Sequence, residues 1–288
     1  MRRIYPTATE EEGTFGPVAE HRPQLADSIR PGTAAMKGIS MADNRFQDHT
    51  IIVTGAGCGI GRATAVRLAA EGARVIGVDI SRERLRALEA ELGESVSTID
   101  GDLASQLTVD RVLALARPRV DGLANVAGIM DGFEPTAEIA DETWERVISV
   151  NVTGMMRMTR AVLLLMIEHG RGSIVNVGSE AGQRGSAAGT PYTVSKHAVN
   201  GFTLSTAFFY TAKGIRCNAV APGPVATNID APFRSAFAQE RLGPIFQTTV
   251  PPVAQPEAIA AAIAWLLSDD ASDVSGAILP VDGGWASL

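Results

Sequence analysis

The stretch GTPYTVSKH, residues 189–197, sets Tyr192 and Lys196 four positions apart. On a helix that spacing puts both side chains on one face, so an ammonium can sit beside a phenol. The chemistry open to such a pair is proton transfer. A free phenol titrates near pH 10, and bringing it to about 7 takes roughly 4 kcal/mol of preference for the phenolate. One positive charge about 5 Å away supplies roughly 3 kcal/mol at an effective dielectric of about 20. Lysine alone nearly suffices, and a second nearby cation would complete a general base working at neutral pH.

A source for that cation stands further up the chain. VTGAGCGIGRA, residues 53–63, follows a β-branched run and opens a helical pattern. Gly55, Gly59 and Gly61, with Ile60 between the last two, let backbone amides approach a pyrophosphate at a helix N-terminus, where the dipole favours an anion. Asp79 then ends the next apolar run, where a carboxylate accepts hydrogen bonds from the ribose hydroxyls of NAD and repels the extra phosphate of NADP. Neither Cys58 nor Ile80 offers a cation for such a phosphate. The expected cofactor is NAD, whose oxidised nicotinamide carries a positive charge. Cys58 reads as a small residue filling the loop.

The elements that must hold these groups alternate. Strands are expected at 50–54, 73–79, 95–99, 121–126, 173–177, 215–221 and 277–281, and helices near 60–71, 82–92, 106–116, 141–168, 192–212 and 256–268. That order predicts an α/β fold: one doubly wound Rossmann domain, residues 46–288, with a seven-stranded parallel sheet flanked by helices. Pro191 marks the start of the fifth helix. The phosphate loop, NVAG (125–128), Ser179 and APG (221–223) all fall just past strand carboxyl ends, where open α/β sheets bind ligands.

This set resembles the short-chain dehydrogenase/reductase family over residues 48–285. The matching residues are TGAGCGIG (54–61), Asp79, GDL (101–103), NVAG (125–128), Asn151 in SVNVTG, Ser179, YTVSK (192–196), APGPVAT (221–227) and VDGG (281–284). Many relatives read NNAG where Val126 stands here, a departure of little expected consequence. The resemblance implies that Tyr192 is the catalytic acid/base, that Lys196 lowers its pKa and holds the nicotinamide ribose, and that Ser179 hydrogen-bonds the substrate oxygen. It gives Asn151 the support of a proton-relaying water. It assigns Asp102 and Leu103 to the adenine, Asn125, Ala127 and Gly128 to the adenine-side ribose wall, and Pro222, Gly223, Val225 and Thr227 to the nicotinamide. Asp102 also reads as a helix N-cap, and Asn151 as a buried polar residue bonding backbone. The implied reaction is hydride transfer between nicotinamide and a small-molecule secondary alcohol or ketone. A 3-oxoacyl-thioester (acyl-carrier-protein) reductase using NAD(P)H and a non-catalytic dinucleotide-sensing or scaffold protein are the alternatives. The resemblance also implies a homo-oligomer, tetramer or dimer, packing the helices near 141–168 and 192–212.

The remaining composition bounds partners. A net charge of -7, with no basic face, argues against nucleic acid. Two distant cysteines, Cys58 and Cys217, fit a reducing compartment, and the cytoplasm is expected. The longest strongly apolar run, AVLLLMI at 161–167, is far short of the ~20 residues of a membrane span, so no membrane is expected. His21, His49, His169 and His197 have no metal-ligand spacing, and no metal is expected. Residues 1–45, rich in Pro, Gly, Thr and acids, read as a flexible arm. Residues 228–252 hold four prolines with Phe233, Phe237, Ile245 and Phe246, and read as an apolar substrate lid. With Met130 and Phe133, they point to a hydrophobic substrate.

Overall fold

The computed structural model describes residues 44–229 and 231–287. The arm expected over 1–45 lies outside these except for Asn44 and Arg45; Arg45 already pairs with Glu71 and Asp270. Seven strands form one sheet: β1 (Thr50–Thr54), β2 (Arg74–Asp79), β3 (Val96–Asp100), β4 (Gly122–Asn125), β5 (Gly172–Val177), β6 (Ile215–Pro222) and β7 (Ile278–Val281). All pairings are parallel and the order is β3-β2-β1-β4-β5-β6-β7. The order reverses between β1 and β4, which opens a crevice at their carboxyl ends.

The sheet is parallel because its inner strands β1, β2, β4, β5 and β6 are largely buried on both faces and are returned by helical crossovers, while the edge strands β3 and β7 are half-buried. One face is covered by α1 (Gly59–Ala70), α2 (Arg82–Leu92) and α8 (Pro256–Leu267), whose Leu68, Leu85 and Ile263 join Val53 and Val175 in one cluster. The other is covered by α3 (Gln106–Ala116), α5 (Met155–His169) and α6 (Thr190–Tyr210), where Val112, Met158 and Ala207 pack on Ile52 and Ile174. Local signals set the ends. Ser81 caps α2 by accepting from the Arg84 amide, Pro256 starts α8, and α5 stops at Gly170 in the left-handed region.

The single helix expected over 141–168 is interrupted. α4 (Asp141–Ile148) passes into α5 through a π-helical segment, Ser149–Gly154, whose β-branched and glycine residues hold α-helix poorly. The joined run Asp141–His169 is long and apolar enough, by length and composition, to cross a membrane, which the seven-residue apolar stretch did not suggest; half of that window is buried inside the domain.

The segment 228–252, expected without strand character, carries α7 (Ala236–Thr249), capped by Ser235. Phe233, Leu242 and Phe246 form a small apolar cluster with Phe133 and Met130, whereas Phe237 points outward and is 61 % exposed.

Candidate active site

Every residue assigned a role from the sequence lies at or near the carboxyl edge of the sheet, and the loops there touch. At the phosphate loop, a Cβ added to Gly61 would fall 2.0 Å from the Gly55 carbonyl oxygen, so only glycine lets the turn close at that point. Ile60 secures the first turn of α1 by accepting from the Thr64 hydroxyl. Cys58, at the N-cap of α1, makes no side-chain cap, which leaves the first-turn amides to a ligand. Thr227 lies across this loop, within contact of any Cβ on Gly59. A cavity of about 450 Å³ opens here, lined by Gly57, Gly59, Arg62, Arg84 and Asn228 among others. Uncapped amides, close glycines and flanking guanidiniums fit the pyrophosphate of a dinucleotide.

Asp79 is buried at the end of β2. Its carboxylate accepts from Gly57 N at 3.0 Å and Ser81 N at 2.9 Å, which fixes it beside the loop with lone pairs to spare. Arg84 was not legible as part of this corner. The first turn of α2 carries it to Cys58, with Nη1 3.4 Å from Sγ, so a cation does stand near Asp79 although neither Cys58 nor Ile80 supplies one.

At the end of β3, Asp102 accepts from the Ala104 amide at 2.8 Å in the turn before α3, whose N-cap is Ser105 rather than Asp102, and Leu103 packs against Gly154. At the end of β4, the Thr54 hydroxyl accepts from the amides of Val126 and Ala127, tying β1 to NVAG. The Asn125 side chain turns inward and donates to Thr159 and Asn176, which ties the end of β4 to α5 and β5. Gly128 lies between the Asn151 and Lys196 side chains: a Cβ there would be 3.4 Å from Asn151 Oδ1 and 3.5 Å from Lys196 Nζ. Past β6, Gly223 presses on Asp282, and Val225 bridges to Ala254, so Pro222–Thr227 crosses the top of the crevice.

The expected proton-transfer group assembles as the spacing requires. Lys196 Nζ lies 5.3 Å from the Tyr192 ring centroid and donates to the Val177 carbonyl at 2.8 Å. Ser179, two residues past the end of β5, reaches hydrogen-bonding range of the phenol, while its own oxygen accepts from Ala181 N at 3.1 Å. Asn151, inside the π-helical segment, spends its carboxamide on Ile129 N, Ile129 O and the Ser195 hydroxyl. These bonds brace the loop after β4.

The electrostatics differ from the estimate made on spacing. Burial pushes the Tyr192 phenol up to about 12, opposed by the Ser179 hydrogen bond and reinforced by the Asp131 carboxylate. Burial also pulls the Lys196 ammonium down to about 8. The two side chains are as close as expected, but burial disfavours the charged form of each, so a phenolate needs more positive charge than Lys196 provides.

Sequence reasoning missed several groups around this centre. Asp131, three residues past NVAG, is 3 % exposed and accepts from the Tyr192 amide. Glu180, beside Ser179, is fully buried with its carboxyl raised by desolvation; it pairs with Arg184 and meets the Asp282 carboxyl. The Arg184 guanidinium lies 4.6 Å over the Trp285 ring. Trp285 in turn packs edge-on against Phe246 and donates to Thr249, joining the C-terminal tail to α7. The signal for Trp285 was a lone aromatic just past VDGG; Glu180 had none beyond its position.

A doubly wound sheet, a glycine phosphate loop and a Ser-Tyr-Lys centre at one edge define a dinucleotide-dependent oxidoreductase fold. A family model described as short chain dehydrogenase matches residues 49–237. The chain belongs to that family, whose members bind nicotinamide dinucleotides. The short-chain dehydrogenase/reductase cdmF of Talaromyces verruculosus is 39 % identical over 84 % of this chain and 99 % of its own length. The asnovolin H dehydrogenase nvfC of Aspergillus novofumigatus is 35 % identical over 84 % and 99 %. Among solved structures, levodione reductase superposes with a TM-score of 0.76 at 35 % identity, over 84 % of this chain and 99 % of that one. A chain assigned as an NAD(P)-dependent gluconate 5-dehydrogenase from Beutenbergia cavernae, holding NADP at low occupancy, gives 0.76 at 32 %, over 86 % and 100 %.

Proposed function

We propose that the protein is an NAD(H)-dependent oxidoreductase of secondary alcohols or their ketones, with a substrate of substantial apolar surface. The observation that carries this reading is the Tyr192 phenol, beside Ser179 and with its ring 5.3 Å from Lys196 Nζ, against which Met130 packs from the aromatic cluster. Bound along the phosphate loop, a nicotinamide dinucleotide supplies the hydride acceptor or donor and, when oxidised, the further positive charge that the Tyr192 phenol lacks. Tyr192 takes the hydroxyl proton during oxidation or gives it during reduction, and Ser179 holds the oxygen as charge changes there. Lys196, anchored on the Val177 carbonyl, stays beside the phenol, with Gly128 between it and Asn151.

The apolar preference rests on Met130, Phe133, Phe233 and Phe246, which form one cluster, with Phe246 extending to Trp285. The preference for NAD over NADP rests on the Asp79 carboxylate at the ribose corner; Arg84 nearby is the feature that favours the opposite reading, NADP(H) and with it a 3-oxoacyl-thioester reductase. NADH formation followed by absorbance, with a panel of cyclic, polycyclic and acyl-chain secondary alcohols, tests the proposal. Oxidation of the cyclic apolar alcohols with NAD supports it, and turnover confined to NADPH and acyl thioesters would replace it.

A further inference from the structure

We propose that Asp131 is a positioning residue for Tyr192, and that its loop couples the lid to the helix on which Tyr192 stands. This rests on the reading of Tyr192 as the acid/base. α6 has no side-chain cap of its own. The loop after β4 supplies one from outside the helix. Asp131 Oδ2 accepts from Tyr192 N at 3.0 Å, the Asp131 carboxylate also bonds the Gly189 amide, and the Glu134 carbonyl accepts from Thr190 N at 2.9 Å. These are first-turn donors that would otherwise lack a partner. A Cβ on Gly189 would fall 2.5 Å from Asp131 Oδ2, so the helix start is cut to admit this carboxylate.

The opposite side of the same loop carries the lid. Gly132 O accepts from Arg234 N at 2.9 Å, Arg234 pairs with Glu134 at 3.7 Å, and the Phe133 ring stacks on Phe233 with centroids 4.3 Å apart. Phe133 adopts φ +57°, a left-handed conformation that a bulky residue holds only where its surroundings enforce it. Asp131 Oδ1 enforces it by accepting from Phe133 N at 2.9 Å. One side chain thus fixes both the strained lid contact and the base of the Tyr192 helix. The groups facing Asp131 are Tyr192 on α6 and Glu134 in its own loop, with Arg234 of the lid balancing Glu134. The carboxylate opposes ionisation of the phenol.

The test is Asp131→Asn, which keeps one acceptor oxygen and removes the charge. Amide exchange of Thr190 and Tyr192 is expected to accelerate while the sheet amides stay protected. On an alcohol that the wild type oxidises, kcat is expected to fall roughly 10- to 100-fold, as a small misplacement of a reacting group does, with little change in KM for NAD. The pH limb that reports proton release is expected to move to lower pH, and Asp131→Glu to return it; a purely structural role would lower kcat equally at every pH. If the Asn variant does not fold, Asp131→Glu carries the test, with reduced kcat and an unmoved limb expected. Wild-type exchange at Thr190 and Tyr192 together with an unmoved limb, or wild-type kcat in Asp131→Glu, would overturn the proposal. The exchange measurement needs no substrate. A wild type that turns over nothing would therefore count against the reading of Tyr192, and the exchange rates alone would then decide whether Asp131 holds the helix.

Discussion

At the scale of single residues, the centre is governed by desolvation. The spacing of Tyr192 and Lys196 was legible because a four-residue step on a helix fixes geometry. Their burial was not, because it depends on Ser179, Val177 and Asp131, each on another element. The consequence is measurable. Lys196 titrates at about 8 in the folded chain against 10.5 ordinarily, so between those values the unfolded chain binds the extra proton. Its contribution to stability therefore rises from pH 8 to 10.5 and is lost as pH falls through 8, by about 3 kcal/mol in all. Tyr192 acts in the opposite sense higher up: from 10 to about 12 the folded chain keeps a proton that the unfolded chain releases, and stability falls. Urea midpoints at pH 8 and 10 should rise in the wild type relative to Lys196→Met; parallel behaviour would refute the burial argument. Asp79 gives a second residue-scale prediction. Asp79→Asn keeps an acceptor for Gly57 or Ser81 but drops the charge, and with Arg84 adjacent, affinity for NADPH relative to NADH should rise roughly tenfold, or about 1.4 kcal/mol, by fluorescence titration. An unchanged ratio would remove Asp79 from cofactor choice.

At the scale of elements, the strands were readable almost to the residue, since parallel strands buried on both faces are short β-branched runs bounded by glycine and charge. The helices were readable from their caps and period, except where 141–168 breaks at SVNVTG to turn Asn151 inward. Residues 228–252 were readable as apolar, either as a substrate lid or as a helical pair on the core, but the bounds of α7 were not, since Pro244 falls within it and obscures its pattern. What holds α7 down was not readable at all: Trp285 bridges Phe246, Thr249 and Arg184 from a tail that follows Thr249 by 36 residues. Trp285→Ala should cost about 3 kcal/mol of stability, as loss of a large buried aromatic does, and should raise the substrate KM more than the NAD KM. Equal effects on both would show that the tail does not serve the lid.

At the scale of the whole molecule, the carboxyl edge of the sheet collects the site, and the outer faces of α5 and α6 expose Leu164, Leu204, Phe208 and Phe209, between 52 and 81 %. Apolar surface of that kind marks an interface, and we expect these helices to join copies of the chain. Light scattering should give a dimer or tetramer that Phe208→Asp with Leu204→Asp dissociates; a wild-type monomer would contradict this. The resemblance of nine separated motifs made the family and the edge legible together, whereas the packing of Phe133 against Phe233 and Phe246 was not. The central claim is that the Tyr192 phenol moves the substrate proton. The most direct measurement is turnover of the best apolar alcohol by Tyr192→Phe beside the wild type, with NADH affinity measured in parallel. A loss of about 100-fold or more in kcat, with affinity within a few-fold, is the expected result; a variant that turns over at the wild-type rate would contradict it.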